Sequence, residues 1–177
     1  VYLYIIKNII KKGVKMKTLI MTLALVGSTV AANLPSEFDR DIYTSGEKIF
    51  DNKCSECHVK SMPIPLLMKN FMEENNQTLK LKAPTGNEIS FRLKQQVGHK
   101  EDMEFHLMQT NDFLKDYLFN PNLSKTICLE GVIRHFEVMP SMKGKITEEE
   151  IEEVNHFLYF LEGFNGINEY YHDETKF

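Results

Sequence analysis

The sequence predicts an all-α fold. Apolar residues recur at three- and four-residue spacing in successive segments, the repeat of a helix face. No segment alternates apolar and polar positions over several residues, as a half-buried strand would. Helix start and stop signals (Ser, Thr, Asp and Asn ahead of the apolar runs, Pro and Gly behind them) punctuate the chain. With 177 residues, 42% of them hydrophobic, 12 Phe and 7 Tyr, the chain can bury one core of ordinary size.

Residues 1–32 read as a signal peptide. They carry Lys7, Lys11, Lys12, Lys15 and Lys17 and no acid, an almost wholly apolar run from Thr18 to Val26, and small residues from Ser28 to Ala32. Basic start, apolar middle and small-residue cleavage site are the three parts of a secretory signal, and Val30-Ala31-Ala32 fits the cleavage step. The apolar run is short of the ~20 residues of a membrane span, so an uncleaved anchor is the weaker alternative. Residues 1–15 are long for the basic part, and Met16 reads as the true start behind an upstream extension. Residues 33–177 then form a single domain.

The mature chain yields its helices in order. Thr44-Ser45 is expected to cap a helix from about Gly46 to Cys54, with Ile49 and Phe50 on its apolar side. Ser61 to Pro65 breaks the chain. Pro65 opens a short helix over 66–74, with Leu66, Leu67, Phe71 and Met72 at helical spacing, and Asn75-Asn76 ends it. Asn87 is expected to cap a helix carrying Ile89, Phe91 and Leu93. Residues 101–109 fit no single element. Asp112 is expected to begin a helix with Phe113, Leu114, Tyr117 and Leu118, stopped at Asn120-Pro121. Ser124 is expected to cap another, holding Ile127, Cys128, Val132 and Ile133. Residues 138–145 read as a loop. The last helix has the clearest signature: Thr147 and Glu150 form a capping box, and Ile151, Val154, Phe157, Leu158 and Leu161 make the apolar stripe, closed at Gly163. The tail, 164–177, has no assignment.

One motif carries chemistry. In Cys54-Ser55-Glu56-Cys57-His58 two thiols three positions apart sit on one turn, within reach of the two vinyl groups on one haem edge, and the next side chain is an imidazole for the iron. The motif occurs once, so one covalent haem c is expected. A thioredoxin-like pair would need a preceding strand, and a zinc site a second pair. The odd cysteine count also fits: two thiols are consumed and Cys128 is left as a buried thiol.

A sixth iron ligand must come from elsewhere. Methionine sulfur raises the potential and suits electron transfer, whereas histidine lowers it. Met62, Met68, Met72, Met103 and Met108 fall on helix faces or near them, where packing explains methionine. Met139 and Met142 lie in the loop before the last helix. Met139, stiffened by Pro140, is the expected distal ligand and Met142 the fallback. Among His99, His106, His135, His156 and His172, His135 is the rival ligand because it stands close to that loop. Arg134 is a candidate partner for a haem propionate, weighed against plain solvation.

Together these residues resemble the class I cytochrome c family: Gly46-x-x-x-Phe50, the Cys54–His58 motif, Met139-Pro140, and a terminal helix with Phe157 and Tyr159. The resemblance implies a helical fold around one haem, with first and last helices crossing at Gly46 and aromatics packed there. It also implies a proline carbonyl accepting the His58 ring N–H, for which Pro63 and Pro65 both stand available. It covers the two ends well and residues 66–130 poorly, so an enlarged helical middle region is expected.

The implied function is an exported electron carrier of the periplasm, not an enzyme, since no acid–base group or nucleophile motif accompanies the haem motif. A haem-bearing subunit of an oxidoreductase complex, or a haem-based gas or redox sensor, is the alternative. Loss of residues 1–32 takes Lys plus Arg from 21 to 16 against 25 Asp plus Glu, and the charge from −4 to −9. Such a surface repels nucleic acid. It suits redox partner proteins with basic docking faces, or simply keeps the protein soluble.

Overall fold

The computed structural model describes residues 35–161. The expected signal peptide, the Gly163 stop, His172 and the tail lie outside them. The chain divides between Pro35 and Ser36, and the elements below belong to the second unit. They are α1 (Arg40–Lys53), α2 (Ile64–Met68), α3 (Gly86–Gln96), α4 (Met103–Phe119), α5 (Glu130–Ile133) and α6 (Glu148–Phe160). A π-turn over Lys69–Glu73 continues α2, and a 3₁₀ turn covers Leu123–Lys125. Among the described residues the only sheet-like pairing is an isolated bridge between Lys143 and Ile146. The protein is all-α.

Helix α1 starts earlier than its sequence suggests. Asp39 caps it, accepting from the backbone N–H of Asp41 at 2.8 Å and of Ile42 at 3.0 Å. The expected cap at Thr44-Ser45 is wrong because both residues lie within the helix: the Thr44 hydroxyl donates to the Arg40 carbonyl of its own helix, and the Ser45 hydroxyl to Glu153 of α6.

The crossing of α1 over α6 organises the fold. A Cβ on Gly46 would sit 1.9 Å from the Glu153 carbonyl oxygen and 2.8 Å from Phe157 Cβ, so the two backbones touch there. Tyr43 and Phe50, on either side of Gly46, both pack on Phe157, with ring centroids at 5.2 and 5.5 Å. Leu93 of α3, Leu114 of α4, and Ile151, Val154 and Leu158 of α6 complete the core. Truncating a side chain as buried as Phe157 costs about 3–5 kcal/mol. Helix α6 begins at the capping box read from the sequence, with Thr147 N–H on Glu150 at 2.9 Å and Glu150 N–H on Thr147 Oγ1 at 3.2 Å.

Three middle elements differ from expectation. Thr85, not Asn87, caps α3, in a capping box with Glu88, and Asn87 is buried inside the first turn. Helix α4 begins at Met103 behind the cap Asp102, nine residues before Asp112. Its start is obscured because the buried face carries His106 and Thr110, polar residues where an apolar stripe would be sought. Ser124 caps no helix: it lies in the 3₁₀ turn held by Asn122, and α5 begins only at Glu130. Cys128 therefore sits on irregular chain, not on a helix face.

A second, smaller cluster of Leu67, Phe71 and Val132, with Phe136 against it, ties α2 and its π-turn to α5. Asn70, fully buried, closes the turn behind the π segment by bonding Asn76 Oδ1 and the Leu79 N–H.

Candidate functional site

The Cys-x-x-Cys-His segment leaves α1 at its C-terminal end. The Cys54 N–H still bonds the Phe50 carbonyl, and the His58 N–H bonds the Cys54 carbonyl at 2.9 Å, which winds the five residues into one turn. Cys54 is partly buried and Cys57 exposed, and Cys54, Cys57 and Cys128 are all free thiols. Burial pushes the Cys54 thiol up to about 11, with a small opposing effect from Lys53. A dithiol that acts as a nucleophile needs the opposite shift.

His58 is held from behind. Its Nδ1 lies 2.7 Å from the Pro84 carbonyl oxygen, so the ring donates there and leaves Nε2 with its lone pair. The acceptor is Pro84, just ahead of α3, and not Pro63 or Pro65; those two open α2, where the Pro63 carbonyl accepts the Leu66 and Leu67 N–H. Burial lowers the His58 pKa, and the Pro84 bond partly offsets that. A neutral imidazole with one fixed N–H is a metal ligand in form.

Beside this turn lies a cavity of about 510 Å³, the size of a cofactor site. Cys54, Cys57 and His58 line it, and so do Met139 and Pro140 from the loop before α6. Most of the remaining wall is apolar: Phe50 of α1, Ile89 and Leu93 of α3, Phe113 and Leu118 of α4, and Val154 and Leu158 of α6. The loop carrying Met139 is pinned to the end of α4 by Ser141 Oγ on the Phe119 carbonyl at 2.7 Å and by the Met142 N–H on the Leu118 carbonyl at 2.8 Å. Met142 itself packs against the main core and is not part of the cavity wall.

The histidines sort by their bonds. His135 lines the cavity and stacks on Phe71 at 5.5 Å. Both ring nitrogens of His106 are used, by the Tyr159 hydroxyl at 2.9 Å and the Val97 carbonyl at 2.8 Å. His156 is bonded to the Asp39 backbone, and His99 stands exposed. Arg134 is exposed and directs its Nε at His135.

Two wall residues have no sequence signal that puts them at the cavity. Pro84 lies far from the motif in the chain, and only the fold returns it to His58. Cys128 lines the cavity near Tyr117, and burial drives its thiol up to about 11 against the Thr126 bond. Glu88, also partly buried, is raised by burial and held down by the Thr85 donors. Among the described residues, no group of three or more His, Cys, Asp or Glu side chains is placed to hold a metal ion by itself. No helix among them is long and apolar enough to cross a membrane.

Comparison with known proteins gives one relation. An uncharacterized protein of Aquifex aeolicus (strain VF5) is 30% identical over 145 residues, covering 81% of this chain and 87% of that protein. No family model matches the sequence, and no solved structure matches it.

Proposed function

This chain and the Aquifex aeolicus protein belong to one family, and we propose that the chain is an exported monohaem cytochrome c that carries single electrons between redox partners. Cys54 and Cys57 hold the haem as thioethers, His58 is the proximal iron ligand and Met139 the distal one. The observation that carries the reading is the shared cavity: Cys54, Cys57, His58 and Met139, from opposite ends of the domain, line one apolar space of cofactor size. The bound haem would supply a one-electron iron couple, with the Met sulfur favouring a high potential.

The protein's own part is positional. Pro84 fixes the tautomer of His58 so that Nε2 is available on the cavity side. A porphyrin brings four nitrogens to its iron, so one imidazole and one thioether complete the set, and no all-protein metal cage is needed. The apolar walls of α3, α4 and α6 would shield a bound haem from water, which suits a carrier.

The test is to express the full chain alongside a c-type haem maturation system and weigh the product. A mass increase of one haem, one alkylatable thiol after denaturation (Cys128), and a low-spin spectrum that resists carbon monoxide are expected. Three alkylatable thiols and no added mass would end the haem reading. Ready carbon monoxide binding would favour a sensor over a carrier.

A further inference from the structure

The bond behind His58 does not end at Pro84. The carbonyl that accepts the His58 Nδ1–H belongs to the Pro84–Thr85 peptide. The N–H of that same peptide, on Thr85, donates to Glu88 Oε2 at 2.8 Å. Thr85 Oγ1 lies 2.9 Å from the same carboxylate oxygen and 2.6 Å from Asn87 Oδ1; burial raises the Glu88 pKa, and the Thr85 donors oppose that by favouring the ionised form. Thr85 is fully buried. A peptide that donates to an anion at one end is a stronger acceptor at the other, because hydrogen bonds in a chain polarise one another. We infer that Glu88 is a positioning and tuning residue for His58, acting through the Pro84–Thr85 peptide to strengthen the hold on Nδ1.

The surrounding backbone makes this relay rigid. The Gly86 N–H bonds the Val59 carbonyl at 2.8 Å, and the Asn87 N–H bonds the Lys60 carbonyl at 3.1 Å. The Asn87 side chain closes the run by donating to the Met62 carbonyl at 2.9 Å and accepting from the Met62 N–H at 3.3 Å. The His58–Pro84 bond is thus the first rung of a ladder between residues 58–62 and 84–87. Gly86 is required in it, since a Cβ there would lie 2.6 Å from the Lys60 carbonyl oxygen and 3.2 Å from the Phe50 ring. Held this way, the Pro84–Thr85 peptide joins the Glu88 carboxylate at its N–H to the His58 imidazole at its carbonyl.

The consequence rests on the haem reading: a more strongly held Nδ1–H gives His58 more anionic character, which stabilises ferric over ferrous iron. Glu88→Gln isolates the charge. Glutamine still accepts the Thr85 N–H and still completes a capping box, so the helix start is kept. In the full, haem-loaded chain this variant is expected to raise the midpoint potential, shifting the ferrous-to-ferric ratio at fixed poise severalfold (tenfold is about 59 mV for one electron). Should Glu88→Gln fold poorly, Glu88→Asp, which keeps the charge but shortens its reach, is expected to raise the potential in the same sense. An unchanged potential in Glu88→Gln or Glu88→Asp, with folding intact, overturns the relay. Ring ¹⁵N and Nδ1–H shifts of His58 test it apart from the haem. In chain lacking haem the Nδ1–H resonance is expected to move upfield in Glu88→Gln. A fixed resonance sinks the relay there too, whereas absence of haem on the wild-type chain sinks only the haem reading.

Discussion

At the residue scale the two loop methionines separate. Both are partly buried, and the sequence favours Met139 only through Pro140. Their surroundings differ more sharply: Met139 lines the same cavity as His58, while Met142 packs on the core and uses its backbone to anchor the loop at Leu118. On the proposed assignment Met139→Ala removes the distal sulfur ligand, whereas Met142→Ala is expected to loosen packing. The first should abolish the sulfur-to-ferric-iron charge-transfer band. It should also lower the potential by at least about 0.1 V of the roughly 0.8 V that axial ligands span. Optical spectra and a redox titration of both variants check this. If Met142→Ala loses the band and Met139→Ala keeps it, the assignment is reversed. His135 lines the same cavity and is the candidate replacement ligand, and a low-spin Met139→Ala spectrum without the band would report that.

At the scale of elements, the α1–α6 crossing and the cap of α6 contribute by different physics and should differ in cost. Gly46→Ala gains helix propensity of about 1 kcal/mol. The added Cβ, however, meets backbone at 1.9 Å, which no rotamer change relieves. Overpacking of this kind costs about 1–3 kcal/mol or more, so a net loss of about 2 kcal/mol is expected. Thr147→Ala removes one capping hydroxyl and is expected to cost about 1 kcal/mol. Urea unfolding of both variants gives the comparison, and a Gly46→Ala protein as stable as the parent would mean the helices slide apart freely. The crossing at Gly46 was expected only from the family resemblance, whereas the cap of α6 was legible in the sequence because it is local, a Thr-x-x-Glu ahead of an apolar stripe. The motif Cys54–His58 was legible for the same reason. What was missed is non-local or runs against pattern. Pro84 reaches His58 only through the ladder with residues 58–62, and no spacing rule links them. The start of α4 was hidden by His106 and Thr110 on its buried face, where bonds to Tyr159, Val97 and Leu107 satisfy polar groups that periodicity counts as exposed. Cys128 was assigned to a helix because its neighbours Ile127 and Leu129 are apolar, yet apolar neighbours serve equally well on extended chain against a cavity.

At the scale of the whole molecule, the titrating groups set a pH dependence with two steps. His156 is buried between Phe38 and Phe160, and its Nε2 lies 3.1 Å from both the N–H and the carbonyl of Asp39. Burial lowers its pKa below 6.5, the Asp39 contacts offsetting this in part, and burial lowers His58 likewise. Below pH 6.5 the unfolded chain binds protons at these rings that the folded chain refuses, so stability falls as pH falls through the unfolded value. Carboxylates act lower down. Hydrogen bonds from the Ile42 and Asp41 backbone hold Asp39 below its usual value, Lys53 does so for Glu150, and Lys125 for Asp116. Their contribution is complete above the ordinary carboxylate range near 4 and is lost as pH drops through the depressed folded values. Unfolding in urea at fixed steps from pH 8 to pH 3 should therefore show little change above pH 7, a first decline beginning near pH 6.5, and a steeper one below about pH 4.5. His156→Gln separates the two steps, since it removes one imidazole while leaving the carboxylates in place. The variant should decline less between pH 6.5 and 5 and match the parent's slope below 4.5. With haem attached, the proposed iron bond takes His58 out of the first step, and the loaded parent should then fall less steeply there than the haem-free chain. Equal slopes in His156→Gln and parent through that range would show that Asp39 holds the ring in either protonation state.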